Sequence, residues 1–151
     1  MTTQSYRHIL VGLDGSPQAA LAFEKGCAVA LRNDAELVLA HVIDTRTLQN
    51  IATLDTFVFE TLEQDARRML EEFKTQALDK GVREVKIVLE FGNPKTLLSV
   101  DIPETENIDL ILLGATGLNA IERLLIGSSS EYIMRHAKVD ILIVREESKT
   151  L

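Results

Sequence analysis

One cysteine, Cys27, is all that the 151 residues contain, so no internal disulfide can hold the fold together. The thiol lies on the apolar stripe of a predicted helix, where it behaves as a small hydrophobe. Long apolar runs are also missing. None approaches the roughly 20 residues that cross a bilayer, and the polar start, Met1 to Arg7, has no apolar stretch of signal-peptide length. The expectation is a cytoplasmic chain without membrane contact. Positive charge is outnumbered, 16 Lys and Arg against 23 Asp and Glu: a formal net charge of −7 argues against nucleic-acid binding, because phosphate backbones are gripped by basic surfaces. Internal repeats, low-complexity tracts and compositional breaks are absent, which predicts a single domain over residues 1–151.

What is present is the composition of a globular core, 46% hydrophobic and 26% charged. Near-continuous apolar runs of strand length recur at Ile9 to Leu13, Leu37 to Ile43, Val85 to Leu89, Leu110 to Leu113 and Ile141 to Val144. Such runs suit strands covered on both faces. Between them lie amphipathic stripes: Ala20, Phe23, Cys27 and Ala30, then Leu62, Ala66, Met69, Leu70, Phe73 and Ala77. Ser16-Pro17 reads as cap and first turn of the first helix, and Gly81 as the stop of the second. Asn93-Pro94 starts a short third helix that Pro103 should end within about three turns. A fourth begins near Ser128 and runs through Ile133 and Met134 towards Ala137.

The resulting β-α-β-α-β-α-β-α-β order predicts an α/β fold: a doubly wound, Rossmann-like, five-stranded parallel sheet with helices on both faces. Ligands of such sheets bind beyond the carboxyl ends of the strands, where the winding direction changes. Two polar strand ends fall there, Asp14-Gly-Ser16 and Gly114-Ala-Thr116-Gly117. From Gly114 the spacing Gly-x2-Gly-x9-Gly leads to Gly127 and then Ser128, Ser129 and Ser130. Glycines let backbone amides approach a phosphate and would let the chain turn tightly at Gly127, while the helix that follows offers unpaired amides and its positive dipole end. A plain turn and a serine cap would use the same residues. The strand before, the helix after and the second polar strand end favour the anion site.

Competing motifs are missing. There is no Gly-x4-Gly-Lys-Ser/Thr, no Gly-x-Gly-x-x-Gly after the first strand and no Gly-x-Ser-x-Gly elbow. His8, His41 and His136 lack neighbours at zinc-ligand spacing, and His41, inside an apolar strand, reads as a packed, hydrogen-bonded histidine.

With these features in place, the sequence resembles the universal stress protein family along nearly its whole length. Ile9-Leu-Val-Gly12-Leu13-Asp14-Gly-Ser16 is similar to the family's first strand and its aspartate, Leu39-Ala-His-Val42-Ile-Asp44 to its second strand end, and Asp109-Leu-Ile-Leu-Leu-Gly114 to its fourth. Gly114, Gly117, Gly127 and Ser128 meet the spacing of the ATP-binding members. The resemblance implies a stress-response or regulatory factor that holds ATP. Val42 would contact adenine; Asp14 would lie near the ribose and metal-bound phosphates; Gly114, Gly117, Gly127 and Ser128 to Ser130 would surround the phosphates; and Gly12, Leu13 and Thr116 would complete the nucleotide site. Without a lysine in the phosphate loop, a triphosphate calls for Mg2+ (or Mn2+), and Asp14 suits such a metal. The alternatives are a slow ATP hydrolase or phosphoryl or adenylyl transferase in the same pocket, with Arg123 reaching a phosphate, and a module for another adenine-containing ligand. The apolar last strand, expected at the sheet edge, and the resemblance together imply a homodimer through that strand, the alternative being that the C-terminal tail, Arg145 to Leu151, covers the edge. Many members carry a proline just before it, where this chain has Lys138-Val139-Asp140.

Overall fold

The five apolar runs become five strands in a computed structural model that describes residues 5–48, 56–115 and 127–146. They are β1 (His8–Gly12), β2 (Glu36–Asp44), β3 (Val85–Gly92), β4 (Leu110–Gly114) and β5 (Asp140–Val144). All four pairings are parallel, and the sheet order is β3-β2-β1-β4-β5. Parallel neighbours need crossovers, and the helices that supply them cover both faces. On one face α1 (Pro17–Asn33) and α3 (Thr56–Asp79) bury Phe23, Cys27, Leu70 and Ala77 against Ile9, Val11, Leu37 and Leu39. On the other, the segment from Pro94 and α6 (Ser128–His136) bury Leu98, Ile102 and Ile133 against Leu10, Val38 and Ile111. Each large aliphatic side chain withdrawn this way contributes roughly 1.5–3 kcal/mol. The doubly wound, Rossmann-like architecture expected from the strand and helix order is the one observed.

The caps follow their residue chemistry. Ser16 Oγ accepts from the Ala19 amide at 3.1 Å and Pro17 occupies the first turn of α1. Gly81, at φ +103°, turns the chain after α3, its amide donating to the Leu78 carbonyl. One short helix was not anticipated: α2 (Thr45–Leu48) follows β2 directly.

The third connection departs from expectation. Pro103 does not end its helix. The segment runs as α4 (Pro94–Thr96), a π-helical turn at Leu97–Asp101 and α5 (Ile102–Thr105), with Pro103 inside the last piece. A proline ring collides with the carbonyl four residues back in a regular α-helix and cannot donate to it. The wide turn just ahead, in which Ile102 donates to the carbonyl of Leu97, relieves that conflict. The Ser99 hydroxyl donates to the Lys95 carbonyl at 2.6 Å within the same segment. The stop comes at Asn107, which adopts φ +55°, while the Ile108 amide returns to the Pro103 carbonyl.

Cys27 is 1% exposed between α1 and the sheet, and burial, helped by the nearby Glu24 carboxylate, pushes its thiol up to about 11. The unfolded thiol ionises near ~8.5. The folded state therefore holds its proton to higher pH, and this contribution to stability is complete below the unfolded value and lost as pH rises through about 11. We expect the native protein to resist a thiol-specific reagent at pH 8 and to react once per chain in denaturant. Full reaction of the native form on mixing would contradict the buried placement.

Candidate nucleotide groove

The winding reverses between β1 and β4, and a cavity of about 370 Å3 opens there, past the carboxyl ends of β1, β2 and β4. That volume falls within the range of small-ligand sites. Three walls meet in it, each built by a different strand end.

The first wall is the loop after β1. The Leu13 amide extends the ladder by one bond, to the Ala40 carbonyl at 2.8 Å. Asp14 then turns the chain, its Oδ1 accepting from the Ser16 amide at 2.9 Å, and Gly15 takes φ +84°, a conformation that suits glycine. Asp14 is exposed, and its Oδ2 has no partner among the described residues.

The second wall is the end of β2, with Leu98 and Pro94 of the third connection beside it. β1 pairs only as far as Gly12 with Ala40, while β2 continues to Asp44. Successive peptide groups of a strand point to opposite edges, so Val42 presents its N–H and C=O on the same edge as Ala40, the edge facing β1. Among the described residues Val42 makes no backbone bond to Leu13. The Leu13 carbonyl instead accepts from Nδ1 of His41 at 2.6 Å. A carbonyl can only accept, so Nδ1 carries the proton. This is the packed, hydrogen-bonded histidine read from the sequence, though sequence reasoning did not place it in the groove.

Asp44 was likewise not chosen as a site residue, although the strand-end rule points to it. It closes this wall and is held by Arg46, whose Nε and a terminal nitrogen donate to its two oxygens at 3.1 and 2.9 Å. That hydrogen-bonded guanidinium keeps the Asp44 carboxyl below the usual carboxylate range.

The third wall is the start of α6. Its first intrahelical bond runs from Glu131 to the Gly127 carbonyl at 2.9 Å, so the amides of Ser128, Ser129 and Ser130 precede the helix's own ladder. Among the described residues no side chain caps this end. Ser130 is buried, and its hydroxyl donates to the Gly114 carbonyl at 3.3 Å, tying the helix to β4. Gly127 is extended, at φ −60° and ψ 157°, angles open to any residue. The tight turn anticipated there is not what its glycine serves.

Gly114 has a packing role that spacing did not reveal: a Cβ there would collide with the Gln18 backbone and stand 2.9 Å from the Ala19 amide nitrogen. The end of β4 thus touches the first turn of α1. Of the expected site residues, Gly12, Leu13, Asp14, Val42, Gly114 and Gly127 to Ser130 all line the one groove. Thr116 and Gly117, with Arg123, lie outside the described residues. Among the described residues no cluster of three or more His, Cys, Asp or Glu side chains is placed to hold a metal ion without help from a ligand, and no helix is long and apolar enough to cross a membrane.

Residues 5–145 match the universal stress protein family, and the chain belongs to it. A relative assigned to that family in Staphylococcus aureus strain USA300 is 42% identical over 143 residues, 95% of this chain and 86% of the relative. Universal stress protein UspA from Lactobacillus plantarum superposes with a TM-score of 0.80 at 26% identity, covering 95% of this chain and all of that one. A universal stress protein solved in complex with cAMP superposes at 0.68 and 24% identity, over 94% of this chain and 98% of that one.

The contact at Gly114 is with backbone, which cannot swing aside. Gly114→Ala is expected to destabilise the fold by about 1–3 kcal/mol, the range for overpacking, read from the urea midpoint at unchanged m-value. A midpoint equal to the parent's would show that α1 and β4 are not in this contact.

Proposed function

We propose that the chain binds ATP in this groove together with Mg2+ (or Mn2+) and works as a nucleotide-dependent regulatory or stress-response factor. The observation that carries the reading is the start of α6, where among the described residues the amides of Ser128, Ser129 and Ser130 make no backbone bond, at a positive dipole end set across one cavity from the Val42 edge that β1 leaves unpaired. A polyphosphate suits the first. The second offers one donor and one acceptor side by side, the pattern that the N1 and N6 groups of adenine require and that guanine reverses. The apolar side chains of Leu98 and Ile133 suit the faces of a purine between these two ends.

The donor set fits a nucleotide whose phosphates are partly neutralised by a divalent cation. The described groove contributes amides and hydroxyls towards phosphate and the carboxylate of Asp14 towards a metal, with one oxygen of that carboxylate uncommitted. A bound cation would draw the phosphate charge away from this acidic surface, and Asp14 is the residue that would hold it. The family membership supports a stress-related role, and the relative holding cAMP supports the ability of this fold to take an adenine nucleotide. A cytoplasmic location and one domain over the whole chain belong to the same reading.

Titration calorimetry with Mg2+ present should give one ATP per chain, at least tenfold weaker binding of GTP, and a further loss with chelator. No heat up to millimolar ATP would overturn the reading, and equal affinity for GTP would remove Val42 as the base contact. The reading also includes a homodimer through β5, an edge strand whose Ile141 to Val144 are only partly buried. Light scattering at tens of micromolar should give twice the chain mass. A monomer there would remove the dimer.

A further inference from the structure

We propose that His41 is a positioning residue that stops the β1–β2 ladder one bond short and so keeps the Val42 amide available to a ligand. The inference rests on the reading of Val42 as the base contact. Gly12 pairs with Ala40, and the Leu13 amide donates to the Ala40 carbonyl, so Leu13 stands opposite His41. In an evenly spaced parallel ladder the next bond would run from the Val42 amide to the Leu13 carbonyl. Among the described residues that bond is not made. The Leu13 carbonyl is occupied by the imidazole Nδ1–H of the residue just before Val42, at 2.6 Å.

A ring N–H has therefore taken the place of a backbone N–H on the same acceptor. The substitution has two effects at once. The Leu13–Asp14 peptide plane is held at its carbonyl, which sets the start of the turn carrying Asp14 and the Ser16 amide. The Val42 N–H, still on the edge that faces β1, is left to pair with something that is not β1. A leucine or valine at position 41 has no side-chain donor and would leave the Leu13 carbonyl open to close the ladder.

Three proteins test this: the parent, His41→Leu, which lacks the donor, and His41→Asn, whose side-chain amide can place a donor where Nδ1 stands. The first measurement is backbone amide exchange at Val42 in nucleotide-free protein. His41→Leu should exchange at least tenfold more slowly than the parent as the ladder closes, and His41→Asn should match the parent. The second is ATP affinity with Mg2+, expected to fall tenfold or more in His41→Leu and to recover in His41→Asn, the scale seen when the group that orients a ligand-binding residue is removed. His41→Met, which also lacks a donor, serves if the leucine variant does not fold.

Unchanged or faster exchange at Val42 in the donorless variants would overturn the proposal. Slower exchange with parental ATP affinity would overturn the claim that the ligand needs this amide. A parent protein that binds no ATP would instead overturn the proposed function, while the exchange result would still judge the role of His41.

Discussion

Everything at the groove depends on two neighbouring strands of unequal length. β1 gives up pairing after Gly12, whereas β2, supported by β3 on its other edge, continues through Val42 to Asp44. A strand that outruns its neighbour has peptide groups with no partner, and buried unpaired peptide groups are costly, so they must find another acceptor or donor. Here the mismatch falls where the sheet reverses its winding, so the unpaired edge opens on a cavity instead of on a packed helix. The His41 imidazole takes up the Leu13 carbonyl, and the proposed ligand would pair with the Val42 edge.

The geometry around that edge is held by close approaches. Gly114 lets β4 end against the first turn of α1, and Gly26 lets α1 lie on β1, where a Cβ would come 2.6 Å from a methyl of Val11. These contacts seat α1 with its start at the carboxyl end of the sheet. The Ser130 hydroxyl on the Gly114 carbonyl then links the two sides of the groove through β4. Charge plays a smaller part in the scaffold, since most ion pairs lie at the surface, where each contributes little. The Asp44–Arg46 pair differs because both carboxylate oxygens are engaged.

Much of this was legible in the residues. Continuous apolar runs marked buried parallel strands because both faces of such strands are covered, and Ser16-Pro17 and Gly81 marked helix ends because their backbone preferences are local. The strand-end rule led to the groove itself. What stayed hidden depended on neighbours distant in sequence. Pro103 looked like a stop, and only the π turn before it shows how a helix passes through. Gly114 and Gly127 read alike as phosphate-loop glycines, yet one is needed for packing against Gln18 and the other has ordinary angles. His41 was understood as hydrogen-bonded, but its acceptor, 28 positions away, is what gives it a place in the site. The edge position of β5 followed from its place as the apolar last strand. The Tyr6 hydroxyl that donates to the Asp140 carboxylate at its start, and so holds its own proton to higher pH, did not.

The central claim, that this groove holds an adenine nucleotide, is tested most directly by native mass spectrometry of the protein purified without added nucleotide and then incubated with millimolar ATP and Mg2+. The account predicts one adenine nucleotide per chain, displaced by excess ATP and not by GTP. A chain that carries no nucleotide after purification and takes up none on incubation would contradict it.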